Sequence, residues 1–136
     1  MKRKFLYSFV ILLLTLPCLV NAQSSPEPVI YQDWKFLGEN PQQIEIEYRI
    51  IKCSTIPQVH LYLFNENPVE KTVLLTVEIT NNDDNQKITK EVTFKAALGG
   101  MFKALCDSDA SLDALKVDVP SGYNPANLTV KITLKP

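Results

Sequence analysis

A single histidine, His60, bounds the acid–base chemistry open to this chain. A nucleophile–base–acid triad or a histidine-bearing metal site would have to use it. It stands between Val59 and Leu61 in a strand-like run, with no GxSxG elbow, HExxH pair or glycine-rich phosphate loop to accompany it. It therefore reads as a structural histidine on the less buried face of a sheet. Asp107, Asp109, Ser111 and Asp113 fall at every second position, with Asp118 beyond them. That spacing matches part of a calcium loop, in which alternate oxygens converge on the ion. The tight-turn glycine is replaced by Leu112, and the closing glutamate by an aspartate. The row reads as a solvated acidic loop, with Asp107, Asp109 and Asp113 as its metal candidates. No cofactor is expected.

The remaining reactive side chains are cysteines, and the start of the chain says which of them matter. Lys2, Arg3 and Lys4 precede an apolar run over residues 5–20, and Val20-Asn21-Ala22 offers a signal-peptidase site. The expectation is a signal peptide over residues 1–22. Pro17 sits where a lipobox wants a small residue, so lipid anchoring at Cys18 is not the reading taken. Removal of residues 1–22 leaves 114 residues, enough for one domain with a core. It takes away three of 14 basic side chains and none of 15 acidic ones, leaving a net charge of −4. An acidic, exported chain is a poor ligand for nucleic acid or anionic membrane, and no membrane span is expected after the leader. Cys53 and Cys106 remain. In an oxidising compartment they pair most simply as one disulfide; two buried thiols are the alternative.

Aromatic side chains supply the other resource. Tyr31, Trp34 and Phe36 lie in one short stretch and Tyr123 in a later turn. Trp34, Tyr31 and Tyr123 together could stack on a sugar, although Trp34 beside Phe36 reads more simply as a core anchor. Asn127-Leu128-Thr129 fits a glycosylation acceptor, but it falls in an expected strand.

The elements that must position these residues are strands. Ile44, Ile46, Tyr48 and Ile50 alternate with Glu45, Glu47 and Arg49, which puts an apolar row on one side and charges on the other. The alternation slips at Ile50-Ile51. A bulge there would turn Ile51 and Cys53 onto the buried face, and a plain strand end fits equally well. After the joint at residues 54–57, Val59, Leu61 and Leu63 face one way and His60, Tyr62 and Phe64 the other, as in a central strand covered on both sides. Residues 23–28 form a polar lead-in, and residues 29–37 an edge strand with a break at Gln32-Asp33. Residues 73–80 and 88–95 alternate around the polar tip 81–85, with Lys90 an exception on the inner face. Residues 96–114 read as a crossing connection, with a helical turn, tied down by Cys106. Residues 115–119 and 128–135 are strands.

About seven strands at short spacing, with no long helical period after the leader, specify an all-β sandwich over residues 29–136. Over residues 29–135 the strand count and spacing resemble the immunoglobulin and fibronectin type III superfold. The resemblance implies one immunoglobulin-like sandwich of antiparallel strands with Greek-key connections, and it carries no family functional residues. An antibody-type domain packs a tryptophan lying between its two cysteines on the bridge. Here Trp34 precedes Cys53 and none lies between Cys53 and Cys106, so the bridge is expected to pin the 96–114 connection to the end of the central strand. The functional expectation is a non-enzymatic, secreted or periplasmic module. Its partner is a protein in the envelope or outside the cell, met through the edge at Tyr31, Trp34 and Phe36. A carbohydrate-binding module using exposed aromatics is the alternative.

Overall fold

The computed structural model describes residues 27–38 and 40–136. The leader assigned to residues 1–22, Cys18 and most of the lead-in lie outside the described residues. Eight strands and one short 3-10 helix follow one another: β1 (Val29–Phe36), β2 (Ile44–Lys52), β3 (Pro57–Asn65), β4 (Lys71–Asn81), β5 (Lys87–Ala96), β6 (Met101–Lys103), the 3-10 helix (Ala110–Leu115), β7 (Lys116–Asp118) and β8 (Leu128–Leu134). All pairings are antiparallel. The first sheet runs β1-β2-β3, with β6 and β7 both against the far side of β3; the second runs β5-β4-β8. The crossings β3 to β4 and β7 to β8 interlock the sheets, because β3 pairs with β6 and β7 in one while β4 pairs with β8 in the other.

The inner rows follow from the alternation. Ile44, Ile46, Tyr48 and Ile50 of β2 and Val59, Leu61 and Leu63 of β3 form one cluster with Val73, Leu75, Val77 and Ile79 of β4. Val92, Val117, Val130 and Leu115 close it. Each such side chain contributes about 1.5–3 kcal/mol when fully buried, the dominant favourable term. Two antiparallel sheets sharing one apolar cluster make an all-β architecture compatible with a sandwich. Lys90 opposes Val77 on the inner side, as its place in the alternation implies, and stays exposed at the edge strand.

Three details depart from the sequence expectation. β2 and β3 pair from Ile44 to Lys52 with no register shift, so no bulge sits at Ile50-Ile51. Ile51 is 2 % exposed but lies outside the core cluster, on the opposite side of the sheet. The shifts fall in β1, between Ile30 and Gln32 and again before Lys35, close to the break expected there. The strand beyond the seven expected, β6, is only three residues long, too short to show alternation. It forms because Gly100, whose amide bonds to the Ala97 carbonyl, makes room for Phe102. A Cβ on Gly100 would lie 2.6 Å from that ring. Phe102 in turn meets Phe94 edge-on at 4.9 Å.

The crossing from the first sheet to the second is held by Asn65, which is fully buried. Its amide nitrogen donates to the carbonyls of Val69, Ala96 and Ala97 at 2.9, 2.9 and 3.1 Å. Its oxygen accepts from the Asn67 backbone and side chain. Asn65→Asp keeps the shape but turns an acceptor toward three carbonyls. The expected loss is about 3 kcal/mol, read as a lower urea midpoint at unchanged m-value; an unchanged midpoint would show that the knot is dispensable.

Candidate binding face and the covered histidine

The register of the first sheet sorts its outward side chains into one surface. Glu45 stands opposite Phe64, Glu47 opposite Tyr62, Arg49 opposite His60 and Ile51 opposite Gln58. Across β3, Phe64 faces Met101, Tyr62 faces Lys103, His60 faces Lys116 and Gln58 faces Asp118. β1 adds Phe36 beside Glu47. Among the described residues this surface is covered at one end and bare at the other.

The covered end is built by the disulfide. Cys53, just past β2, is joined to Cys106, whose Cα lies 5.4 Å away in the segment between β6 and the 3-10 helix. Both flanking strands belong to the first sheet, so the bridge stays within one layer and ties the crossing connection to the end of β2. Beneath it His60 has no solvent exposure. This corrects the expectation of a less buried face: the tethered segment covers it. Cys53 Sγ lies 3.9 Å from His60 Nε2. The Gln58 side-chain amide donates to Asp118 at 2.8 Å, which leaves its oxygen to accept from His60 Nε2–H at 3.0 Å. Of the two ring nitrogens, Nε2 meets Gln58 and Nδ1 is buried near the Ala104 backbone. Burial first, then the positive charges of Arg49 and Lys116, push the imidazole from its ordinary 6.5 down to about 4, with the Ala104 backbone opposing. The ring is neutral near pH 7 and has no contact with solvent.

The bare end is aromatic. Arg49 and Lys103 approach the Trp34 ring at 4.8 and 4.7 Å from its centroid, which holds a half-buried indole against the sheet between two cations. Trp34 is therefore not the core anchor expected. It lies on the outer surface, outside the core cluster. Burial lowers the Arg49 guanidinium, and Asp33 opposes this. Burial also raises the Tyr62 phenol, with Glu45 and Glu47 adding to the shift. Phe36 is 52 % exposed and Met101 71 % exposed, while Tyr62 and Phe64 are half-buried between them. The outer face of the second sheet is different: Thr76, Glu78 and Thr80 of β4 are flanked by Thr89, Glu91 and Thr93 of β5 and by Thr129, Lys131 and Thr133 of β8.

The other expected site residues disperse. Tyr31 and Tyr123 pack against the core cluster, so they do not join Trp34 in one platform. Tyr123 also lines an open cleft of about 410 Å³ with Ile56, Pro57 and Pro120. Asp113 pairs with Lys116 at 2.9 Å, Asp109 accepts from Ser111, and Asp107 is exposed. Among the described residues no three His, Cys, Asp or Glu side chains converge as metal ligands. Asn127 is exposed, but its amide is bound to Asp83 at 2.6 Å. Phe64 lies on the face its alternation with Tyr62 and His60 implies, and Met101 and Lys103 join it without having been singled out from sequence. Only the register of β6 against β3 places these two there.

Two outcomes follow for the covered end. Because the folded His60 binds its proton more weakly than the unfolded chain does, stability rises with pH between about 4 and 6.5. It falls by about 3 kcal/mol as the solution is acidified through that window. Urea titrations at several pH values should show this slope, and His60→Gln should flatten it; equal slopes would refute the assignment. Replacing both Cys53 and Cys106 by alanine should cost about 4 kcal/mol for a loop of this length in the chain-entropy model. It should also return the His60 pKa, followed by NMR, toward 6.5.

Among the described residues no helix is long and apolar enough to cross a membrane. No family model, curated protein or solved structure matches the chain.

Proposed function

We propose that this chain is an exported, non-enzymatic, immunoglobulin-like module that binds another protein through the bare end of its first sheet. The observation that carries the reading is the exposed pair Phe36 and Met101 flanking a tryptophan held by Arg49 and Lys103. Aromatic and arginine side chains anchor protein interfaces, since they bury much area at small entropic cost. An apolar patch on one sheet, against a threonine-, lysine- and glutamate-covered face on the other, marks the side that meets a partner. The mixed charges of Glu45, Glu47, Arg49 and Lys103 suit a protein surface better than a polyanion.

The immunoglobulin-like reading is supported by the interlock. In that superfold the second strand pairs with the fifth in one sheet while the third pairs with the sixth in the other. Here β3 with β6 and β7, and β4 with β8, stand in that relation, and β5 extends the second sheet beside β4. Export is supported by the basic and apolar leader and by the Cys53–Cys106 bridge, a bond that persists in oxidising compartments.

The test is capture of a partner from the native envelope by the purified chain, repeated with Phe36→Asp, Met101→Asp and Trp34→Ala. The first two residues are exposed, so the fold should survive. Retention should drop at least about tenfold for each, as for an anchor worth some 1.4 kcal/mol or more. Undiminished retention, or a chain recovered only as a free monomer, would overturn the proposal.

A further inference from the structure

The two sheets leave edges, and the edges are not equally guarded. β1 carries two register shifts, and β6 and β7 are three residues each. Irregular and very short edge strands are poor templates for pairing. On β5, the Asn81 amide donates to the Gln86 carbonyl. In an antiparallel ladder only alternate residues turn their backbone groups toward a given neighbour. The groups of β5 that face away from β4 therefore belong to Lys87, Thr89, Glu91, Thr93 and Lys95. That edge is guarded by charge, and the 3-10 helix packs against the same strand.

β8 differs. The Lys135 amide donates to Leu74 at 2.8 Å, and the Asn82 amide to Asn127 at 3.1 Å. With the register between them unbroken, Thr129, Lys131 and Thr133 turn their backbone groups to β4. Leu128, Val130, Ile132 and Leu134 turn theirs outward, where no strand pairs with β8 among the described residues. These same four supply the inner row. Val130 is buried, while Leu128, Ile132 and Leu134 are covered on one flank and open on the other.

We infer that the free edge of β8 is a strand-addition site for an extended segment of a partner protein that alternates apolar and polar residues and carries an acid opposite Lys131. Free backbone donors and acceptors on a regular strand are matched by another strand's backbone. The segment's apolar row would finish covering Leu128, Ile132 and Leu134. The acid follows from charge. Glu78, the cross-strand neighbour of Lys131, is engaged by Lys87 at 3.4 Å, and Lys135 pairs with Glu91, so Lys131 has no ion pair among the described residues. A second copy of β8 fits badly. Antiparallel pairing about the strand's centre sets Lys131 against Lys131, and directly opposed like charges are destabilising. This site is separate from the aromatic face and stands whether or not that face binds.

The experiment is amide hydrogen exchange on the exported chain with synthetic nine-residue peptides alternating valine and polar residues, glutamate at the centre. Exchange at Val130, Ile132 and Leu134 should slow at least about tenfold at saturation, with Thr89 and Thr93 unchanged. Methylating alternate peptide nitrogens should abolish the protection. A lysine-centred peptide should bind about threefold more weakly, and Lys131→Glu should reverse that preference. Absence of protection, equal binding by the methylated peptide, or protection that grows with protein concentration alone, as for a second copy, would each overturn the proposal.

Discussion

β3 has to be covered on both faces, and most of the molecule can be read as the means of doing so. Its inner row, Val59, Leu61 and Leu63, is fully buried against the second sheet. Its outer row begins with His60, a polar ring that also has no solvent exposure. Water is removed from that ring by the segment that leaves β6, reaches over the sheet and is held by the Cys53–Cys106 bond. The segment then returns as β7 to pair with the same strand. A cross-link closing this loop limits the unfolded chain more than it adds contacts to the folded one. It also sets which part of the outer face is dry.

That division gives the outer face its character. Under the bridge, Asp118, Gln58 and His60 form a short polar chain. A cationic ring there would be desolvated and would face Arg49 and Lys116, so the imidazole stays neutral. Beyond the bridge the described residues leave the outer row of β3 half-buried, and the register brings Tyr62 and Phe64 into a row with Met101, Lys103, Phe36 and Trp34. The two cations at Trp34 offset part of the cost of leaving an indole on a surface. Among the described residues the second sheet has no such overlay, and its threonines, lysines and glutamates are those of an ordinary solvated β-face.

Much of this was legible in residue types and order. The alternations at 44–50, 73–80 and 128–134 are visible because a strand's side-chain period is two, so burial on one face writes itself into every second residue. The covering of β3 on both faces was readable from Val59–Phe64, and the tie between Cys53 and the connection around Cys106 from the number of cysteines and the missing tryptophan between them. What misled was local. Ile51 reads as a slip in alternation, yet it is buried on the other side of the sheet in unbroken register with β3, and the irregularity opposite it lies in β1. Trp34 reads as core because tryptophan is apolar, yet two irregularities in β1 place it outward, against charges that are 15 and 69 positions away.

The sequence by itself determined the strand rhythm, the all-β class, the cysteine pair and the acidic balance, because each depends on residue type and near neighbours. Only the tertiary structure decided that His60 is buried, that Trp34, Phe36, Phe64 and Met101 share one face, and that no described strand pairs with the far side of β8. Those facts depend on which distant segment lies against which strand. That is settled by register and by chain crossings, which no window of neighbouring residues contains.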